Sequence, residues 1–211
     1  MFVGLRDRLI RNRTQLANAI RGYAAEFGLT AAKGIVHLPP LLARIQADER
    51  TPGCSIVPYS KVYEAVALRA LDHGCLIIAA AGNDSGRYSG RICPVISPAS
   101  CPSIMAIGAL DSTQQAVFNI ADFSNRGINP NGGLIDVAAP GVFVYSSFPL
   151  PIMYHREDGT SMATPHVGGI AALLFEEDST RGPLDVWNLI SQKANPVGID
   201  TRDVGAGLVH I

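Results

Sequence analysis

A short run of apolar residues constrains the fold of this chain more than any other feature. It spans residues 75–81, with Gly74 before it and Gly82 after it. An apolar run without polar alternation is typical of a strand that is buried on both faces of a parallel sheet. Even the longest apolar runs are far shorter than the ~20 residues of a membrane helix, which argues against a membrane span.

Helices and strands alternate around this run. Ser60 can cap a helix that ends at Gly74, another helix should start near Ser161, and Pro183 can open a last one. Further strands are predicted over residues 103–110, 134–139 and 142–146. The order of these elements predicts an α/β fold with a mostly parallel sheet and crossover helices. The strand at 76–81 would expose an apolar edge where earlier strands should pair.

Charge divides the chain near residue 50. Residues 1–50 hold eight basic and four acidic residues, a balance of +4, whereas residues 51–211 hold nine and fourteen, a balance of −5. The net charge of −1 argues against a dedicated nucleic-acid binder. The break predicts two segments of different origin, a helical appendage over 1–50 and a domain over 51–211.

Residues 1–50 are predicted to contain an amphipathic helix of roughly 25 residues, because their apolar positions recur at helical spacing. Its arginines form either a solvated face or a face that contacts nucleic-acid phosphates, and both interpretations stay open. The run from Arg13 to Gly28, followed by Ala32-Lys33-Gly34, resembles the helical stretch after the RuvC-like nuclease domain of insertion-sequence transposases. None of that family's four catalytic carboxylates is present, so the resemblance implies a remnant.

The four cysteines lack the paired short spacings of a zinc site, and no carboxylate cluster has the spacing of a calcium-binding loop. No metal or cofactor is therefore predicted. Cys75 lies in the apolar run and is expected to be a small core residue. Cys93 and Cys101 flank one loop and could pair in an oxidising compartment, which the sequence leaves open.

The chemistry is concentrated in the fifteen residues that begin at Gly159, GTSMATPHVGGIAAL. A serine at a helix start, here Ser161, lies beside free backbone N–H groups that can receive an oxyanion. Gly-Thr-Ser alone would more often be a helix cap. The whole string closely resembles the nucleophile motif of the subtilisin-like serine proteases.

Other segments resemble the same family and occur in its order. Residues 79–83, AAAGN, resemble the strand end that supplies the oxyanion-hole asparagine, and residues 97–109 resemble the substrate-pocket loop with the following strand. Three further segments are similar to the family: FSNRG at 123–127, IDVAAPG at 135–141 and GAGLV at 205–209. The resemblance extends from about residue 60 to residue 211.

The resemblance implies a partial subtilisin-like three-layer fold and a serine endopeptidase acting on peptides or proteins. Ser161 would be the nucleophile and Asn83 would stabilise the oxyanion. The residues that would line the substrate cleft are Ala80, Ala81, Gly82, Ile96, Ser97 and Pro98. Family members are mostly secreted, whereas no secretion signal opens this sequence, so as written a cytoplasmic location is expected.

The family orders its triad Asp, His, Ser, and the first two should lie before residue 60 on Asp-Ser/Thr-Gly and His-Gly-Thr motifs. The transposase-like segment occupies that stretch. Asp84-Ser-Gly matches the aspartate motif formally but follows the oxyanion strand. His155 precedes Arg-Glu instead of Gly-Thr, and His166 is five helical residues beyond Ser161, a rotation of ~140° and a rise of ~7.5 Å.

Without a base, Ser161 is an ordinary alcohol, so the isolated chain is expected to be inactive. A complementary fragment that carries Asp and His is a possible partner. Two alternatives remain: a truncated, non-catalytic product of gene fusion, and a nucleic-acid-binding remnant of a transposase.

Overall fold

The computed structural model describes residue 54 and residues 59–113, 117–129 and 132–210. The helix predicted within residues 1–50 lies outside the described residues. The elements are α1 (Lys61–Asp72), β1 (Ile78–Ala80), β2 (Met105–Asp111), β3 (Asn119–Ile120), β4 (Val137–Pro140), β5 (Val144–Ser147), β6 (Tyr154–Glu157), α2 (Thr160–Glu177), α3 (Pro183–Lys193) and α4 (Thr201–Val204). A short 3-10 helix, Arg87–Ser89, lies between β1 and β2.

Strand β2 is the centre of the main sheet. It pairs in parallel with β1, from Ile78↔Met105 onward, and in parallel with β4. The short strand β3 pairs with its end in the antiparallel direction. Every residue of β2 except the last is buried, as expected for a strand between crossover helices. The predicted α/β fold with a mostly parallel sheet is confirmed.

Strand β5 belongs to a separate sheet. It pairs with β6 in an antiparallel hairpin, and most residues of both strands are exposed. The sequence predicted a strand at 142–146 without assigning its partner, and the structure pairs it with β6 in this hairpin. The connection between the two strands is only a few residues long, which suits a hairpin and is too short for a parallel crossover.

The helices begin and end where local chemistry places them. Ser60 caps α1 by accepting a hydrogen bond from the Tyr63 N–H at 3.4 Å, and Gly74 follows the helix with a φ of 78°. Pro183 is the first residue of α3, and the Asp185 carboxylate accepts from the Gly182 N–H at 2.9 Å. No helix within the described ranges is long and apolar enough to cross a membrane.

The main hydrophobic core lies where β2 and β4 pack against α2 and α3. Its buried members include Ile107, Val137, Val167, Val186 and Ile190. This packing fixes the start of α2, which carries Ser161, relative to the sheet.

Strand β1 is shorter and less covered than the sequence predicts. It spans only residues 78–80, its residues are half-buried, and β2 is its only partner strand among the described residues. Cys75 lies before the strand and is exposed, so the prediction that it is a core residue is wrong. The reason is that no described element covers this end of the apolar run.

The disulfide partner of Cys93 is Cys54. The pairing of Cys93 with Cys101, which the sequence left open, is therefore not formed. Cys101 instead packs in a buried cluster with Ala67 and Ile104, where its Sγ lies 3.5 Å from the Ser60 carbonyl oxygen. Cys93 and Cys101 flank one loop, but only Cys101 is a member of a hydrophobic cluster, and sequence spacing does not reveal this difference.

Candidate active site

Ser161 is the second residue of α2, and its side chain is exposed. The start of this helix is held against the sheet because the Gly159 N–H donates to the Gly141 carbonyl at 2.8 Å. A Cβ on Gly141 would lie 2.6 Å from the Ala109 Cβ and 2.8 Å from the Gly159 oxygen, so only glycine permits this approach. The predicted position of Ser161 at a helix start is confirmed.

Asn83 follows β1 and is attached to the residue before Ser161. Its Oδ1 accepts hydrogen bonds from the Thr160 N–H and from the Thr160 hydroxyl, both at 2.8 Å. The Thr160 Oγ1 in turn accepts from the Gly82 N–H at 3.2 Å. Because Oδ1 is used in this way, the amide nitrogen Nδ2 points elsewhere, and it donates to no described residue.

Gly159 keeps open a small space between two nitrogen donors. A Cβ on this residue would lie 3.2 Å from the Met162 Sδ, 3.5 Å from the Asn83 Nδ2 and 3.6 Å from the Ser161 backbone nitrogen. Both donors therefore border one position at the helix N-terminus, where the helix dipole favours negative charge. An arrangement of this kind can stabilise an oxyanion that develops next to Ser161.

Asn125 organises the loop that carries Asn83. Its Oδ1 accepts from the backbone N–H groups of Asp84 and Ser85, each at 3.0 Å, and its Nδ2 donates to the Asp84 carboxylate at 3.0 Å. Its own N–H donates to the Gly82 carbonyl. Asp84, whose surrounding sequence formally matched the aspartate motif, therefore contributes its carboxylate to this loop network.

The six predicted cleft residues divide into two groups. Ala80 lines a cavity together with Ser161. The other five do not line either of the two described cavities that border Ser161: Ala81, Gly82, Ile96, Ser97 and Pro98. They form a connected unit beside Asn83, in which Ala81 and Gly82 are buried and the Ile96 N–H donates to the Ala81 carbonyl at 3.0 Å.

Two cavities border Ser161, and Pro165 of α2 also lines both of them. The first has a volume of about 710 Å³ and lies between β1 and α2. The second, of about 400 Å³, lies between α2 and the β5–β6 hairpin. Of these two cavities, only the second has titratable side chains in its lining.

Three of those side chains are His155, Glu157 and His166. The His155 Nε2 lies 3.5 Å from a Glu157 carboxylate oxygen, and both side chains are about half exposed. The His166 Nδ1 lies 2.9 Å from the Met162 carbonyl oxygen of the preceding turn. Sequence reasoning missed the pair formed by His155 and Glu157, although residues two apart in a strand share a face.

No group of three His, Cys, Asp or Glu side chains in the described part of the chain is arranged to hold a metal ion. The polar side chains that line the two cavities beside Ser161 carry hydroxyls, imidazoles and one carboxylate.

The parallel sheet, the helix-start serine and the attached asparagine together define a subtilisin-like α/β protein. The sequence model of the subtilase family (Peptidase_S8) matches residues 46–207, and the chain belongs to that family. It is 38% identical over 143 residues to subtilisin DY of Bacillus licheniformis, covering 68% of this chain and 47% of that protein. It is 36% identical over 152 residues to subtilisin E of Bacillus subtilis (strain 168), covering 72% of this chain and 36% of that protein.

Solved structures show the same relationship. Sphericase superposes with a TM-score of 0.62 at 25% identity, covering 92% of this chain and 62% of that one. The self-cleaved protease domain of PatA superposes with a TM-score of 0.56 at 33% identity, covering 72% of this chain and 52% of that one. The chain thus spans about half or less of the length of the curated subtilisins it matches.

A short stretch is similar to a different protein. Over 52 residues the chain is 65% identical to the putative transposase y4pF/y4sB of Sinorhizobium fredii (strain NBRC 101917 / NGR234). The matched stretch covers 25% of this chain and 13% of that protein.

Proposed function

We propose that this chain supplies the nucleophile-bearing part of a serine endopeptidase. Ser161 is the nucleophile, Asn83 is the oxyanion donor, and the residues from Ala80 to Gly82 and from Ile96 to Pro98 bind the substrate. The observation that carries the proposal is the attachment of the Asn83 carbonyl to Thr160, because it turns Nδ2 toward the space that the Ser161 N–H also borders.

In the proposed reaction the Ser161 Oγ attacks the carbonyl carbon of a peptide bond. The developing negative oxygen accepts hydrogen bonds from the Asn83 Nδ2 and the Ser161 N–H. A base takes the hydroxyl proton and returns it to the leaving amine, and water then hydrolyses the acyl-enzyme by the same route.

We infer that the base and its acid come from a second polypeptide. The Asp-Ser/Thr-Gly and His-Gly-Thr motifs of the family do not occur before residue 60 of this sequence. An oxyanion hole and a binding cleft without the triad leave only about 10³–10⁴-fold acceleration over water. A complementary fragment with both motifs would supply the groups that accept and hold the proton.

Hydrolysis of a chromogenic peptide tests this proposal. The full chain is mixed with a fragment that carries both motifs, and the rate is compared with that of each component alone. We expect hydrolysis only in the mixture. Ser161→Ala should abolish it, and Asn83→Ala should lower kcat by about 10²–10³-fold.

The control is Asn188→Ala, an exposed asparagine of α3 that should leave the rate unchanged. Hydrolysis by the mixture that persists in Ser161→Ala would refute the assigned nucleophile. A rate that responds equally to both asparagine substitutions would refute the oxyanion role.

A second candidate is a nucleic-acid-binding remnant of a transposase, favoured by the 52-residue similarity to the putative transposase. It predicts binding of the full chain to duplex DNA, with an affinity that falls steeply as salt increases. An affinity that does not change with salt would exclude phosphate contacts as its basis.

A further inference from the structure

The β5–β6 hairpin presents an apolar surface to water. Every residue from 145 to 156 is exposed. The six residues that connect the two strands, 148–153 with the sequence FPLPIM, are here called the hairpin tip, and all six are apolar. None of them belongs to a hydrophobic cluster of the described core, and Leu150 is 82% exposed. An exposed apolar patch of this kind is typical of an interaction surface.

Polarity increases along the hairpin with distance from the tip. Tyr154 lies next to the tip, opposite Ser147, and Tyr145 lies two pairs further back, opposite Arg156. Glu157 follows in the next pair. These pairs extend over about 10 Å, at about 3.3 Å per residue. The order from apolar through aromatic to charged matches the change of polarity from the acyl chains of a bilayer to water.

The two tyrosines of the hairpin stack behind the tip. The ring centroids of Tyr145 and Tyr154 are 5.7 Å apart. A tyrosine combines an apolar ring with a polar hydroxyl and is therefore enriched where apolar and aqueous regions meet. The guanidinium carbon of Arg156 lies 5.9 Å from the centroid of the Tyr145 ring, and the long arginine side chain can keep its charge in water.

The backbone of the tip uses most of its own N–H groups. Pro149 and Pro151 have none. The Phe148 N–H donates to the Met153 carbonyl at 2.6 Å, and the N–H groups of Ile152 and Met153 donate to the Pro149 carbonyl at 3.2 and 3.4 Å. Three of the four N–H groups of the tip are thus bonded within it, as entry into an apolar layer requires. A peptide that added to the tip as a strand would instead need free N–H groups.

We propose that the hairpin tip inserts into the interfacial layer of a lipid bilayer. Leu150, Ile152 and Met153 contact the outer part of the acyl chains, and the two tyrosines lie among the headgroups. The tip enters one leaflet only, because its six residues are fewer than the ~9–11 of a strand that spans a bilayer. Phe148 also lines the smaller cavity beside Ser161, so insertion brings that cavity close to the bilayer surface.

The charges behind the tip favour a zwitterionic lipid. Residues 154–158 carry one arginine and two carboxylates, a balance of −1 with His155 counted as neutral. Attraction to anionic headgroups relies on clustered basic residues, which this hairpin does not have. The affinity is therefore expected to come from apolar contact, which salt does not screen.

Flotation of the full chain with phosphatidylcholine vesicles tests the proposal. We expect saturable binding that is the same at low and high salt. Leu150→Asp should lower the partition coefficient at least about tenfold, because it places a charge in an apolar layer. The matched control is Leu184→Asp on α3, which changes an exposed leucine outside the hairpin and should leave the partition coefficient unchanged. Circular dichroism checks that both variants are folded.

A second measurement locates the inserted residues. Ile152→Trp places a fluorophore in the tip, and vesicles of phosphatidylcholine with brominated acyl chains should quench its emission. The natural tryptophan, Trp187, lies on α3 outside the hairpin and should not be quenched in the unmodified chain. This readout does not depend on catalysis, so its result is independent of the proposed function.

Absence of binding to phosphatidylcholine, equal partition coefficients of the two aspartate variants, or no quenching of the tryptophan at position 152 would overturn the proposal. Binding that requires anionic vesicles and is lost at high salt would identify basic residues as its basis and would also overturn it. Self-association of the full chain without vesicles, abolished by Leu150→Asp, would identify a second copy as the occupant of the tip and contradict insertion.

Discussion

At the scale of the residue, Thr160 joins the two parts of the candidate site. Its buried side chain accepts a hydrogen bond from the Gly82 N–H and donates one to the Asn83 Oδ1, while its own N–H donates to the same oxygen. The threonine thereby sets both the position of the asparagine and the direction of its amide nitrogen.

Thr160→Val keeps the shape of the side chain and removes these hydroxyl bonds. It leaves the buried Gly82 N–H without a partner, so we expect the free energy of unfolding to fall by about 1–3 kcal/mol in urea denaturation. Thr164→Val is the control, because its hydroxyl only donates to the Thr160 carbonyl within the helix. Equal effects of the two substitutions would show that the Thr160 hydroxyl has no special role.

Asp136 gives a prediction about pH. Burial raises its pKa from 3.8 to about 6, against the opposing effect of hydrogen bonds from the Ala106 N–H and the Trp187 side chain. Between these pH values the folded state binds more protons than the unfolded state, so stability falls as pH rises. A shift of this size corresponds to about 3 kcal/mol.

We therefore expect the free energy of unfolding to fall between about pH 4 and pH 6 and then to level off, and Asp136→Asn to remove this fall. Asp178→Asn is the control. Hydrogen bonds from Thr180 lower the pKa of Asp178, which gives its contribution the opposite sign, so the fall should remain. Wild-type and Asp136→Asn profiles with the same slope through this range would contradict the account of Asp136.

At the scale of the element, the turn after β1 depends on one glycine. Gly82 has a φ of 112°, and a Cβ there would lie 2.4 Å from the Asn125 Nδ2 and 2.9 Å from the Ile96 Cγ1. The positive φ and the close approach of two side chains therefore both disfavour any residue other than glycine at position 82.

Gly82→Ala should lower the free energy of unfolding by about 2–5 kcal/mol, from backbone strain and overpacking together. Gly74→Ala, at a φ of 78° with nothing within 4 Å of the added Cβ, should show only the strain of about 1–2 kcal/mol. Thermal or urea denaturation measures both. Similar values would mean that the packing around Gly82 adjusts freely.

These elements also show what the sequence can and cannot predict. The cap at Ser60, the helix start at Ser161 and the buried strand β2 follow from local patterns, and the structure has all three. The disulfide of Cys93, the separate hairpin of β5 and β6, and the bonds of Thr160 to Asn83 do not. In each of these three features the tertiary fold brings the residues together. Their spacing along the sequence does not show that they are neighbours.

At the scale of the whole molecule, buried ion pairs join distant segments of the described part, and a cavity lies elsewhere in it. Asp203 of α4 is buried and bonds to Arg87 at 2.7 Å, with Arg126 also close by. This pairing fastens the region near the C-terminus to the loop that follows Asn83. The cavity between β1 and α2, which Ser161 borders, has no charged residue and hence no such ion pair in its lining.

The central claim is that Ser161 has an oxyanion environment but that none of the described residues acts as its base. Its most direct test is the rate at which a fluorophosphonate labels Ser161 of the full chain alone at neutral pH, measured by peptide mass spectrometry. We predict no labelling above that of the Ser161→Ala variant. Rapid labelling at Ser161 that disappears in His155→Ala would contradict the claim and identify the pair of His155 and Glu157 as the base and its acid.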